Sequence, residues 1–303
     1  MNEVPDHALP DNPSLSRRAF TIAALASTPF IAAGRSILMA AGAPSILVHG
    51  HRGARARRPE NTIPAFQYAI EQGVDVLELD VAVTRDNVPV VSHDPHINAA
   101  ICAGPDPGVA IRELTLARLR EYDCGAKRNP LFATQISQPG TRVPTLDEVF
   151  DLSRGTRVWF NVETKIFADH PELTPGPEEF TQMILDRIRA HGIEKRVILQ
   201  SFDPRTLRVM KKLDPSIPRA ALFETDRDWP EVAREFEATL YSPEYPFVTP
   251  ERVAHAHAAG LQVVPWTVNK PEDWARLVDA KVDAIISDDP AALIAWLKEK
   301  GLR

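Results

Sequence analysis

The sequence predicts an α/β fold, a (β/α)8 barrel with a lid-like insertion after its second strand. Three observations carry this expectation. Short β-branched runs alternate with longer helical patterns eight times from Ile46 onward, which favours a barrel over a doubly wound sheet. Several helical patterns open on proline, whose missing N–H costs nothing in a first turn. The 303 residues are about twice the commonest domain length, yet suit a single barrel plus a leader.

Taken in order, strands are expected at residues 46–51, 74–83, 157–163, 196–201, 219–223, 239–242, 262–267 and 284–287. Helices are expected between and after them at 63–72, 146–154, 177–191, 204–212, 229–236, 250–259, 271–279 and 290–298. One stretch breaks the rhythm. Residues 95–140 carry Pro95, Pro105, Pro107, Pro130 and Pro139, with a single helix near 115–123, and read as an insertion. It follows Val88-Pro89-Val90-Val91-Ser92-His93-Asp94, a brief hairpin arm after strand two. Cys102 and Cys124 lie inside it; they are too few for a disulfide scaffold and lack zinc-site spacing, so they either pair outside the cytoplasm or stay free.

Composition narrows the function. Hydrophobic residues make up 44% and charged residues 25%, which excludes global disorder and a polytopic membrane protein. A net charge of -6 offers no broad positive field for a nucleic acid and no stable attachment to an anionic membrane. Small substrates fit better. Nothing in the composition sets the oligomeric state.

The leader reads as an address. Ser16-Arg17-Arg18-Ala19-Phe20 runs into a modest apolar stretch and reaches Ala40-Ala41-Gly42-Ala43, the layout of a twin-arginine export signal over residues 1–43. Pro29 and Arg35 interrupt the stretch and make it a poor membrane-spanning helix. The expectation is cargo of the twin-arginine export machinery, with residues 44–303 working in the periplasm as the barrel domain. A tail with an incidental Arg-Arg pair is the alternative.

Chemistry concentrates at the strand ends. In strand two, Leu77, Leu79, Val81 and Val83 share one face, so Glu78 and Asp80 share the other and point into the barrel. In strand three, Val158, Phe160 and Val162 face outward, which turns Trp159, Asn161, Glu163 and Lys165 inward. Three carboxylates without a soft ligand suit one hard divalent cation, Mg²⁺ or Ca²⁺. The alternative is a salt-bridge network in which Arg52 and Lys165 neutralise Glu78, Asp80 and Glu163. His51 and Arg52 close strand one at the end where barrel active sites lie, and His93 leaves the hairpin arm; two imidazoles near an anion supply an acid and a base. The other histidines, His49, His96, His170, His191, His255 and His257, read as structural.

His51-Arg52-Gly53-Ala54, Pro59-Glu60-Asn61-Thr62, Glu78-Leu79-Asp80-Val81, Ser92-His93-Asp94, Val162-Glu163-Thr164-Lys165, Gln200-Ser201-Phe202 and Trp266-Thr267-Val268-Asn269, in that order, resemble the glycerophosphodiester phosphodiesterase family. The resemblance spans roughly residues 47–290 and implies a TIM barrel with a divalent metal. It implies metal carboxylates at Glu78, Asp80 and Glu163 and a general acid/base pair at His51 and His93. Arg52 matches its phosphate-binding arginine. Lys165 would meet the phosphate as a second cation, and Trp266 would either line the mouth against the alcohol moiety or pack as a structural aromatic. Glu60 and Asn61 are expected to fix their loop and cap the following helix, and Gln200 to approach the pocket.

The implied substrate is a small phosphodiester such as glycerophosphocholine or glycerophosphoethanolamine, split into sn-glycerol 3-phosphate and an alcohol. The nucleophile is water or the neighbouring glycerol hydroxyl. Lysophospholipids or phosphoinositides are the alternative substrates. A metal-dependent sugar isomerase has less need of Arg52 and two histidines around one anion. A non-catalytic phosphoester-binding protein would not need both histidines.

Overall fold

The computed structural model describes residues 46–303, so the export signal expected over residues 1–43 lies outside the described residues. Strands β1 (Leu47–Gly50) and β2 (Val76–Val83) run parallel, and the short β3 (Pro89–Val91) folds back antiparallel on β2. The parallel series continues with β4 (Trp159–Thr164), β5 (Val197–Ser201), β6 (Arg219–Phe223), β7 (Leu240–Pro243), β8 (Gln262–Val263) and β9 (Ala284–Ser287). Their order is β8-β7-β6-β5-β4-β2-β1-β9. Backbone bonds from Asp283 N–H to Val263 O and from Ile286 N–H to Pro265 O, each 3.0 Å, bring β9 back to β8 and all but close the ring. Eight parallel strands with flanking helices make the (β/α)8 barrel that the sequence predicts.

The helices are α1 (Ile63–Gln72), α2 (Leu116–Leu119), α3 (Leu146–Phe150), α4 (Pro177–His191), α5 (Pro204–Leu213), α6 (Trp229–Phe236), α7 (Pro250–Ala258), α8 (Pro271–Asp279) and α9 (Pro290–Glu299). Five of them begin with proline, as the sequence suggests. Their apolar stripes cover the outward faces of the strands, where Phe66, Phe150, Phe160 and Phe180 are wholly buried. Each such phenylalanine contributes roughly 1.5–3 kcal/mol of apolar burial. Inside the ring, Ile198, Ala220, Leu240, Val264, Ala284 and Ile286 fill the lower barrel. Above that plug the inward positions become polar, and there the site begins.

Three elements end several residues earlier than the sequence suggests. Strand β8 stops at Val263 because Pro265 has no N–H for the ladder; contact with β7 resumes at Trp266, whose N–H reaches Pro243 O at 3.1 Å. Helix α2 ends at Leu119 rather than Asp123, since Asp123 and Ala103 exchange two backbone bonds of 2.8 Å and pull the chain into extended pairing. Helix α3 tightens into a 3₁₀ turn at Asp151–Ser153.

The segment 95–140 has a small core of its own, built on Ile97, Ile111, Leu119 and Tyr122 against Val90 and Val143. Within it Cys102 and Cys124, 22 residues apart in sequence, form a disulfide. Two buried amides fasten its later half to the loop between β1 and α1: Gln135 Nε2 donates to Arg55 O (2.6 Å) and Arg58 O (3.1 Å), and Asn129 Nδ2 donates to Glu60 Oε2 (3.0 Å).

Candidate active site

All eight residues that the sequence singles out gather at one end of the barrel. Strand alternation and the pairing of β2 with β4 set Asp80 directly beside Glu163, one pleat above Glu78. One oxygen from each of the three carboxylates lies within 4.8 Å of the others. A cavity of about 140 Å³ opens over them, lined by His51, Arg52, His93, Lys165 and Trp266 among others.

The turn after β1 is shaped by close backbone approach. A Cβ on Gly50 would stand 2.1 Å from Gly53 O, so only glycine fits there. Arg52 adopts φ 49°, in the left-handed region, and its N–H points at Glu78 Oε2, 2.8 Å away. Its guanidinium reaches Glu60 Oε1 (2.6 Å) through Nη1 and Asp80 Oδ2 (3.3 Å) through Nε. Asn61 donates to Asp80 Oδ2 at 2.8 Å, while Thr62, not Asn61, caps α1 by accepting from Ala65 N–H. Gln200 does approach the pocket: it accepts from Asn161 and donates to Glu78 Oε1, each at 2.7 Å.

Lys165 bridges Glu163 Oε1 (2.5 Å) and Asp80 Oδ1 (3.1 Å). Arg52 and Lys165 therefore do pair with carboxylates, but two cations face three anions. Glu78 meets a backbone N–H and an amide instead of a cationic side chain. Burial, with Asp80 and Glu163 nearby, pushes its carboxyl well above the usual range. Burial likewise pushes Glu163 up to about 7, against the pull of Lys165. Burial acts on Asp80 in the same direction, but Lys165 and Arg52 outweigh it and hold that carboxyl well below the usual range. Asp80 Oδ1 is buried, with the Lys165 ammonium as its ionic partner. An excess of carboxylates over cations and three hard oxygen donors within reach of one another fit a divalent cation at Glu78, Asp80 and Glu163.

His51 closes β1 with its Nδ1 2.5 Å from Asp288 Oδ1. Asp288 also accepts from Arg55 Nε (2.5 Å) and Asn269 Nδ2 (2.7 Å). Burial would raise the Asp288 carboxyl, but His51 and Arg55 hold it well below the usual range. Burial draws His51 down to about 4, against the upward pull of Asp288. The imidazole is thus neutral near pH 7, with Nδ1–H donated to the carboxylate and Nε2 left 4.0 Å from Glu78. His93 lies across the pocket at the end of β3, its Nδ1 2.8 Å from Asp94 Oδ1.

Trp266 belongs to the pocket wall. Its Nε1 donates to Ser242 O at 2.8 Å, and its ring stands edge to face with Phe202, centroids 5.5 Å apart. Asp288 and Arg55 escape a motif-based reading because their ionic partners, each other and His51, come together only when the two ends of the barrel meet. Alternation along β9 is the signal that finds Asp288: Ala284 and Ile286 point inward, so Asp288 does too.

Residues 51–292 match the model of the glycerophosphoryl diester phosphodiesterase family. A glycerophosphodiester phosphodiesterase from Caldanaerobacter subterraneus subsp. tengcongensis is 36% identical over 256 residues, covering 84% of this chain and 99% of the relative. A Silicibacter pomeroyi protein of solved structure is 31% identical with a TM-score of 0.80, over 86% of this chain and 96% of that one. At 23% identity, an Oleispira antarctica phosphodiesterase, solved in complex with the product sn-glycerol-3-phosphate, shares the fold with a TM-score of 0.71 over 84% of this chain and 97% of its own. The family match covers every side chain gathered at the barrel mouth and every strand after β1, and the chain belongs to the glycerophosphoryl diester phosphodiesterase family.

Proposed function

We propose that the chain hydrolyses glycerophosphodiesters, such as glycerophosphocholine or glycerophosphoethanolamine, to sn-glycerol 3-phosphate and an alcohol. The observation that carries this reading is the convergence of two imidazoles, Arg52 and three buried carboxylates on a single cavity. Glu78, Asp80 and Glu163 would hold one divalent cation, Mg²⁺ or Ca²⁺. When bound, the cation supplies Lewis-acid polarisation of a phosphoryl oxygen.

The remaining steps belong to the protein's own groups. Arg52, held rigid by Glu60 and Asp80, presents the rest of its guanidinium to the phosphodiester anion and stabilises the charge that grows as the nucleophile adds. His51 Nε2 takes a proton from water or from the adjacent glycerol hydroxyl, since burial keeps this imidazole neutral and Asp288 fixes the proton on Nδ1. The nucleophile's oxygen bonds to phosphorus, the bond from phosphorus to the alcohol oxygen breaks, and His93 delivers a proton to the departing alcohol. With water as nucleophile this gives sn-glycerol 3-phosphate directly; with the glycerol hydroxyl it gives a cyclic phosphate, which a water deprotonated by His93 then opens as the phosphorus bond to that hydroxyl breaks and His51 returns its proton. Lys165, spanning Asp80 and Glu163, meets the phosphate oxygens, and Trp266 lines the alcohol side.

The test is release of sn-glycerol 3-phosphate from glycerophosphocholine by chelated protein, with Mg²⁺ or Ca²⁺ restored separately. Cation-dependent release is expected. Folded protein that cleaves lysophosphatidylcholine but not glycerophosphocholine would replace this substrate class with lysolipids.

We also propose that the reaction takes place in the periplasm after export by the twin-arginine machinery. The Arg17-Arg18 leader and a Cys102–Cys124 disulfide, which suits an oxidising compartment, support this. Changing Arg17 and Arg18 to lysine is expected to retain the protein in the cytoplasmic fraction; unchanged export would remove the assignment.

A further inference from the structure

Two of the four exposed large hydrophobic side chains of the described residues sit in one short stretch of the insertion: Leu131, 78% exposed, and Ile136, 57% exposed. The stretch reads Lys127-Arg128-Asn129-Pro130-Leu131-Phe132-Ala133-Thr134-Gln135-Ile136. Its inner side is tied down. Asn129 N–H donates to Gln135 Oε1 at 2.7 Å, both of these side chains are buried, and both bond to the loop between β1 and α1. With Asn129 and Gln135 turned inward, Lys127, Arg128, Leu131 and Ile136 are exposed, beside the small or neutral Pro130, Ala133 and Thr134.

The two cations are not neutralised locally. Lys127 Nζ donates to Ala99 O at 2.8 Å and Arg128 Nη1 to Ala133 O at 2.7 Å; among the described residues neither forms a salt bridge. In a chain of net charge -6, a loop that pairs two carboxylate-free cations with two bare aliphatic side chains is unusual. Its chemistry complements a surface that is anionic outside and apolar just beneath, where aliphatic tips enter the headgroup boundary while cations meet phosphates. The loop also adjoins the catalytic end, because Phe132 packs 5.2 Å from the guanidinium of Arg55, a residue that lines the cavity.

We propose that the loop 127–136 is an interfacial contact by which the protein docks reversibly on an anionic lipid bilayer, whatever ester its pocket cleaves. Two cations and two aliphatic side chains make a transient attachment, not an anchor.

The test is cosedimentation of the full chain with phosphatidylglycerol/phosphatidylcholine vesicles and with pure phosphatidylcholine vesicles. The same leader is present in every variant, so differences read the loop. Leu131→Asp/Ile136→Asp and, separately, Lys127→Gln/Arg128→Gln are each expected to weaken partition onto the anionic vesicles by about tenfold. Partition is expected to fall with added salt, and thermal melting to match the parent, since all four side chains are exposed. No binding by the parent overturns the proposal. So does equal binding by parent and both double variants, or parent binding that is the same on neutral vesicles and indifferent to salt.

Discussion

His51 Nδ1 and Asp288 Oδ1 meet at 2.5 Å across 237 residues of sequence, because β1 and β9 are neighbours in the ring. The carboxylate fixes the imidazole's tautomer and is itself locked by Arg55 and Asn269. Asp288→Asn is expected to lower kcat/KM on the order of 10²-fold, the scale for a misoriented reacting group. The depressed Asp288 carboxyl contributes stability above an unfolded pKa of about 3.9, lost as the pH falls toward its folded value. The parent should therefore lose more stability below pH ~4 than Asp288→Asn, read from paired denaturation curves.

Removing either imidazole should silence the enzyme without unfolding it. His51→Ala and His93→Ala are each expected to cut kcat by at least ~10²-fold, with melting curves close to the parent's. A near-parental rate in one variant takes that histidine out of the reaction.

Cation binding should compete with protons at Glu163. Burial pushes its carboxyl up to about 7. Below that pH, isothermal titration of Mg²⁺ or Ca²⁺ is expected to show affinity falling about tenfold per pH unit. The same shift acts on metal-free stability with the opposite sign to Asp288. A raised carboxyl favours folding below its unfolded pKa of about 4.3 and loses that contribution as the pH rises toward 7. Glu163→Gln, which has no proton to lose, should flatten that fall.

The Cys102–Cys124 crosslink closes a loop of 22 residues. Opening it by Cys102→Ser/Cys124→Ser is expected to cost about 3 kcal/mol by lost loop constraint. Urea titration of the double variant against the oxidised parent measures it; equal midpoints would mean that the small core around Leu119 and Tyr122 holds the segment unaided.

The barrel was legible because its signals are local. Period-two alternation identified Glu78 and Asp80 as inward, and proline marked helix starts with single-residue accuracy at Pro177 and Pro271. Element ends were harder where tertiary contacts decide them, as at Asp123, which Ala103 draws out of a helix. The carboxylates and both histidines carry motif neighbours that announce them. Alternation along β9 turns Asp288 inward, but its partnership with His51 follows from ring closure, a relation between chain ends that no sequence window contains. Alternation turns Lys165 inward, but its simultaneous hold on Asp80 and Glu163 depends on strand register.

The adjacency of the first strand and the last also orders events in time. A nascent chain that has emerged as far as β5 already holds Glu78, Asp80, Glu163, His51 and His93, yet His51 has no carboxylate until β9 leaves the ribosome and docks. Contacts spanning so much of the chain are the slow ones to form. Turnover is thus a readout of completed synthesis: a partly made barrel cannot act early, and refolding monitored by product release should lag behind the appearance of helical signal.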